Sequence, residues 1–125
     1  ALGARARVLA VDDDPDIRTI GRLSLANVGG LTVHLAASGA EALALLASLR
    51  PDLILLDVMM PDLDGPATLR ALKDDPALAH IPVVFMTAKA HPREVERYLA
   101  LGARAVIAKP FDPLTLAERV RAQMG

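Results

Sequence analysis

Cysteine is missing from all 125 residues, which excludes disulfides and thiolate metal sites and fits a reducing compartment. Charge of one sign is missing too. Fourteen basic residues stand against fifteen acidic ones, for a formal net charge of −1, and the basic residues are scattered along the chain. No global attraction toward nucleic acid or an anionic membrane surface follows from that balance. No apolar run approaches the roughly 20 residues that span a bilayer, and the N-terminus has no signal-peptide pattern. A cytoplasmic location without direct nucleic-acid or membrane contact is therefore expected. A G-x-x-x-x-G-K-[ST] loop is also lacking, so a nucleoside triphosphate site of that kind is not supported. His34, His80 and His91 share no ligand spacing, so neither a zinc site nor a phosphohistidine is expected. With 53% apolar residues, no internal repeat and no linker, residues 1–125 read as a single domain.

What the sequence does contain is a set of short apolar runs that each stop on a polar residue. Leu9-Ala10-Val11 stops at Asp12-Asp13, and Leu53-Ile54-Leu55-Leu56 stops at Asp57. Pro82–Met86 stops at Thr87, and Ala105–Ala108 stops at Lys109. Continuous apolar runs of this length, alternating with helical patterns, read as strands buried on both faces of a parallel sheet. All carboxyl ends of such a sheet share one edge, where ligands bind.

The helices between these strands are legible from breakers and stripes. Pro15 suits a first helical turn with Asp14 or Asp16 at its positive end, and Ile17, Ile20, Leu25 and Val28 form its apolar stripe. Gly29-Gly30 ends that helix, and Leu31–Ala36 makes the second strand. Ser38 with Glu41 reads as a capping box, opening a helix that buries Ala42, Leu45, Leu46 and Leu49. Helices are expected from Pro66 to about Lys73 and from Pro92 to Leu101, with Gly102 at a left-handed C-cap. A last helix follows Asp112-Pro113, with Leu116, Ala117, Val120 and Met124 on one stripe. Five β/α units in this order predict a doubly wound α/β domain.

Three carboxylates (Asp12, Asp13 and Asp57), one hydroxyl (Thr87) and one amine (Lys109) would converge at the carboxyl edge. Each has an ordinary reading: a solvated helix cap for Asp12–Asp14, a β-branched strand end for Thr87, a solvent lysine for Lys109. Convergence changes the weight. Two like charges about 4 Å apart repel by roughly 4 kcal/mol at an effective dielectric of 20, so the cluster needs a cation. Oxygen-only ligands suit a hard ion such as Mg²⁺, which keeps waters and leaves room for phosphate oxygens. On this argument, neutralising either Asp12 or Asp13 should stabilise the metal-free fold. Lys109 would neutralise a phosphoryl oxygen, Thr87 would donate to another, and Lys109-Pro110 is a candidate cis bond.

Val11-Asp12-Asp13-Asp14-Pro15, Leu56-Asp57-Val58-Met59-Met60-Pro61-Asp62-Leu63-Asp64-Gly65, Met86-Thr87-Ala88 and Lys109-Pro110-Phe111 together resemble a response-regulator receiver domain of the chemotaxis-regulator type. The resemblance covers the whole chain. It implies a flavodoxin-like (βα)5 fold with strand order 2-1-3-4-5. It also implies Asp57 as phosphoacceptor and Mg²⁺ (or Mn²⁺) held by Asp13, Asp57, the Met59 backbone carbonyl and, through a water, Asp12. Thr87 and Lys109 would contact the phosphoryl oxygens, and Asp14 would lie outside the metal's first shell. The implied partner is a histidine kinase or a histidine phosphotransfer protein. The implied activity is a signalling switch that takes the phosphoryl group onto itself and loses it slowly, not a turnover enzyme.

One departure stands out. The family often has Tyr or Phe three residues before the lysine, and here that residue is Val106. Output through an aromatic switch is therefore not expected, and Tyr98 on the fourth helix reads as amphipathic packing. Two other classes compete. A haloacid-dehalogenase-like aspartyl-phosphate phosphatase wants a second Asp two residues after the first, where this chain has Met59. A flavodoxin-like small-ligand module has no use for an acid cluster opposite a lysine.

Overall fold

The computed structural model describes residues 6–124, so residues 1–5 and 125 of the expected single domain lie outside the described residues. Five strands, β1 (Arg7–Val11), β2 (Thr32–Ala36), β3 (Leu53–Asp57), β4 (Val83–Thr87) and β5 (Ala105–Ala108), form one parallel sheet in the order β2-β1-β3-β4-β5. This is the expected 2-1-3-4-5 order. The helices are α1 (Pro15–Arg22), α2 (Gly39–Leu45), α3 (Gly65–Asp74), α4 (Pro92–Ala100) and α5 (Leu116–Arg121).

Strand alternation divides the core into two layers. Leu9, Val11, Ile54, Leu56, Val83 and Phe85 face Ala42, Leu46, Leu69, Leu72 and Tyr98 from α2, α3 and α4 and the turn after α2. Val8, Ala10, Leu53, Leu55, Val84, Met86 and Ile107 face the other way, onto Leu25, Leu116, Ala117 and Val120. Both faces of the sheet are covered, which is why the strands read as unbroken apolar runs.

The helix starts follow the expected chemistry. The Asp14 carboxylate accepts the Asp16 amide at 2.9 Å, the Ser38 hydroxyl accepts the Glu41 amide at 3.0 Å, and the Asp64 carboxylate accepts the Ala67 amide at 2.9 Å. Glu41 completes its box on the Ala37 amide at 3.3 Å, one residue before the cap. Gly102 has φ +114°, the left-handed end of α4.

The first helical stripe needs correction. Beyond Arg22 the helix widens into π-helical turns over Leu23–Val28, and the Gly29 amide reaches five residues back to the Ser24 carbonyl at 3.1 Å. The phase therefore slips: Ser24 and Leu25 are buried, whereas Ile20 and Val28 are exposed. The Ser24 hydroxyl donates to the Pro113 carbonyl, an anchor between this segment and the β5–α5 loop. α5 also starts later than Asp112-Pro113 suggests, at Leu116, after a turn in which the Asp112 carboxylate accepts the Leu114 amide at 2.9 Å.

Candidate functional site

The sheet register sets the site. Val11 pairs with Leu56, so Asp12 and Asp57 emerge side by side at the carboxyl edge. Thr87 ends the next strand and pairs with Ala108, and the Lys109 amide extends the ladder to the Thr87 carbonyl at 2.8 Å. Asp12, Asp13, Asp14, Asp57, Met59, Thr87, Ala88 and Lys109 line one cleft of about 270 Å³. Asp12, Asp13, Asp57, Met59, Thr87 and Lys109 are thus brought to one place, from three loops and two strand ends.

Asp12, Asp57 and Thr87 are buried, and Asp13 is exposed. The Lys109 ammonium bridges the two buried carboxylates, 2.8 Å from Asp12 Oδ2 and 3.1 Å from Asp57 Oδ1. Burial, and then the negative charge of Asp12, push the Asp57 carboxyl up from 3.8 to about 6, against the opposing pull of Lys109 and the Met59 amide. Burial disfavours the Lys109 charge, but hydrogen bonds and attraction from Asp12 and Asp57 outweigh it and hold the ammonium above its usual value. The Lys109–Pro110 peptide is cis.

Lysine bridging corrects the charge argument made from the sequence. The cation that the cluster needs is partly supplied from within, because Lys109 already reaches two of the three carboxylates. Asp12 is a paired buried ion, so removing its charge would break a pair rather than relieve repulsion. Only Asp13 remains an uncompensated member.

The Thr87 hydroxyl oxygen accepts the Lys89 amide at 2.9 Å, which ties the strand end to the β4–α4 loop. Asp14 caps α1 and does not belong to the acid triad. Tyr98 is buried edge-on against Phe85, ring centroids 5.2 Å apart at 83°, so it is packing as the sequence suggested. Val106 packs at the margin of the same cluster. Sequence reasoning missed Arg18, whose guanidinium donates to the Asp12 backbone carbonyl at 2.8 Å. A backbone acceptor leaves no sequence pattern to find.

The donor set suits a hard divalent ion. Asp12, Asp13 and Asp57 offer carboxylate oxygens all within 4.8 Å of one another. Two oxygens on one Mg²⁺ sit at most about 4.2 Å apart, so a small closure of side chains would bring them into range.

A five-stranded doubly wound sheet with an acidic cleft at its carboxyl edge defines a flavodoxin-like α/β domain of the chemotaxis-regulator type. The family model for the response regulator receiver domain matches residues 8–121, and the chain belongs to that family. It is 38% identical over 120 residues to the DNA-binding response regulator MtrA of Mycolicibacterium smegmatis, covering 96% of this chain and 51% of that protein. Response regulator PleD of Caulobacter vibrioides is 43% identical over 117 residues, 93% of this chain and 25% of that protein. The chain therefore spans about half the length of one relative and a quarter of the other.

Among solved structures, chemotaxis response regulator CheY4 of Vibrio cholerae superposes with a TM-score of 0.88 at 34% identity, covering 95% of this chain and 98% of that one. The signal receiver domain of a histidine kinase from Syntrophus aciditrophicus gives 0.84 at 37% identity, with 95% and 89% covered. The chain is thus a receiver domain of the two-component signalling type, with a signalling role. No described helix is long and apolar enough to cross a membrane.

Proposed function

We propose that Asp57 is the phosphoacceptor and that a histidine kinase or histidine phosphotransfer protein supplies the phosphoryl group. The observation that supports this most is the Asp57–Lys109–Asp12 bridge, which leaves a buried carboxylate beside an ammonium at the mouth of an acidic cleft. One Asp57 carboxylate oxygen attacks phosphorus in line, the N–P bond of phosphohistidine breaks, and the imidazole leaves with its electron pair and takes up a proton. Lys109 balances the charge of the transferred group by shifting from carboxylate to phosphoryl oxygen. Thr87 would donate its hydroxyl proton to a second oxygen, a proton that its present role as acceptor from the Lys89 amide leaves free.

Asp13, Asp57 and the Met59 carbonyl would hold Mg²⁺ directly, with Asp12 acting through a water and Mn²⁺ as a substitute. The ion supplies charge neutralisation to the phosphoryl group and its attacking oxygen. The domain then serves as a switch with slow loss of its own acyl phosphate, in the cytoplasm, with no nucleic-acid or membrane contact of its own.

Incubation with acetyl phosphate tests the reading. We expect a mass gain of one phosphoryl group in Mg²⁺, none in EDTA, and none in Asp57→Asn. Full phosphorylation of Asp57→Asn would remove Asp57 from the role.

A further inference from the structure

We propose that Arg18 is a positioning residue that fixes the orientation of the acidic β1–α1 loop for metal binding. The inference rests on the phosphoacceptor reading above and deepens it. Asp12 uses three acceptor atoms on three separate donors. Its Oδ1 accepts the Asp14 amide at 2.9 Å, its Oδ2 accepts Lys109 at 2.8 Å, and its backbone oxygen accepts Arg18 at 2.8 Å. Its own amide donates to the Ala36 carbonyl at 3.1 Å, continuing the β1–β2 ladder. The first two bonds and the ladder bond fix the side chain and the incoming backbone. Among the described residues, only the Arg18 bond acts on the outgoing peptide plane, which is shared with the Asp13 amide and sets the direction in which the Asp13 side chain leaves.

That direction matters because Asp13 is the exposed member of the triad and has no bond among the described residues to hold its carboxylate. Arg18 stands one turn into α1, and its amide donates to the Asp14 carbonyl at 3.0 Å, so a packed element carries the guanidinium. The planar donor fork is suited to such a fixed contact.

Placement and charge make opposite predictions. A guanidinium beside a cation site repels the incoming ion, so a residue acting through charge alone would tighten Mg²⁺ binding when neutralised. A residue acting through placement would weaken it. Arg18→Met keeps the aliphatic stem and removes both donor and charge. Arg22→Met, on an exposed residue one turn further with no such bond, controls for charge alone.

The test is Mg²⁺ titration of the full chain by calorimetry, at a temperature where thermal melts show each variant folded. We expect the Kd for Mg²⁺ to rise at least threefold in Arg18→Met and to stay level or fall in Arg22→Met. Arg18→Lys, which keeps a donor, should recover part of the loss. Should Arg18→Met fail to fold, Arg18→Gln, neutral and shorter, carries the same expected rise. Binding by the neutral Arg18 variant as tight as wild type, or tighter, would overturn the clamp while leaving Asp57 phosphorylation intact. A wild-type chain that neither binds Mg²⁺ nor accepts phosphate would overturn both.

Discussion

At Asp57 two opposing effects meet: burial and Asp12 favour the protonated acid, and Lys109 favours the carboxylate. The raised value, about 6, says that the first pair wins in the metal-free protein. The folded form therefore binds more protons than the unfolded chain between about pH 4 and 6, so this group's contribution to stability is fullest at low pH. It is lost as pH rises through that window, by up to about 3 kcal/mol. Denaturant melts without metal should show wild type losing stability relative to Asp57→Asn between pH 4 and 7. A constant difference across that range would mean that the carboxyl is not strained.

The neighbouring acids separate in the same way. Asp13→Asn should raise metal-free stability by less than about 1 kcal/mol, because an exposed unpaired charge is removed. Asp12→Asn should lower it by about 1–3 kcal/mol, because Lys109 loses a buried partner. Matching melts in EDTA would show the expected opposite signs. That Asp12, Asp57, Thr87 and Lys109 gather at one edge was legible at this scale, since each follows or ends an apolar run. How they pair was not, because the reach of Lys109 across to Asp12 depends on a sheet order that no local pattern encodes.

Among the elements, the β3–α3 connection is packed tightly against backbone at Gly65. A Cβ built on Gly65 would stand 2.6 Å from the Asp57 carbonyl oxygen and 2.8 Å from Val58 Cα, both backbone atoms unable to give way cheaply. Gly65→Ala should therefore cost about 1–3 kcal/mol and displace the loop that carries Met59. A denaturant midpoint unchanged from wild type would contradict that packing.

The β4–α4 loop behaves differently, being held at its root by the side-chain bond from the Lys89 amide to Thr87. If Thr87 rotates toward a phosphoryl oxygen and carries its Oγ away from the Lys89 amide, that bond breaks and the loop is released. A beryllofluoride mimic should then shift amides from Thr87 to Ala90 more than those at Val106 and Tyr98, because no ring at position 106 follows the threonine. Larger shifts centred on Val106 would contradict this order. Caps and breakers made the starts of α1 to α4 readable within a residue or two, whereas α2 stops at Leu45, short of its expected Leu46 and Leu49, and α5 starts only at Leu116. The π-helical widening after Arg22 was not readable, since Ile20 and Val28 fit an ordinary helical stripe and the extra residue is absorbed only by packing Ser24 against the β5–α5 loop.

Across the whole molecule, the two apolar layers clamp the sheet between them beneath a polar edge, so the site is a consequence of strands ending together. The fold class was legible because strands buried on both faces cannot alternate with polar residues. The strand order came only through resemblance, since the apolar runs of β1, β3 and β4 are interchangeable in composition. The central claim is that this edge makes one acceptor, and trapping tests it most directly. Acyl phosphate formed with acetyl phosphate and Mg²⁺ is reduced by borohydride, converting the modified aspartate to homoserine, and the peptides are mapped. The account predicts conversion at Asp57 alone. Conversion at Asp12 or Asp13, or phosphate recovered on a histidine, would contradict it.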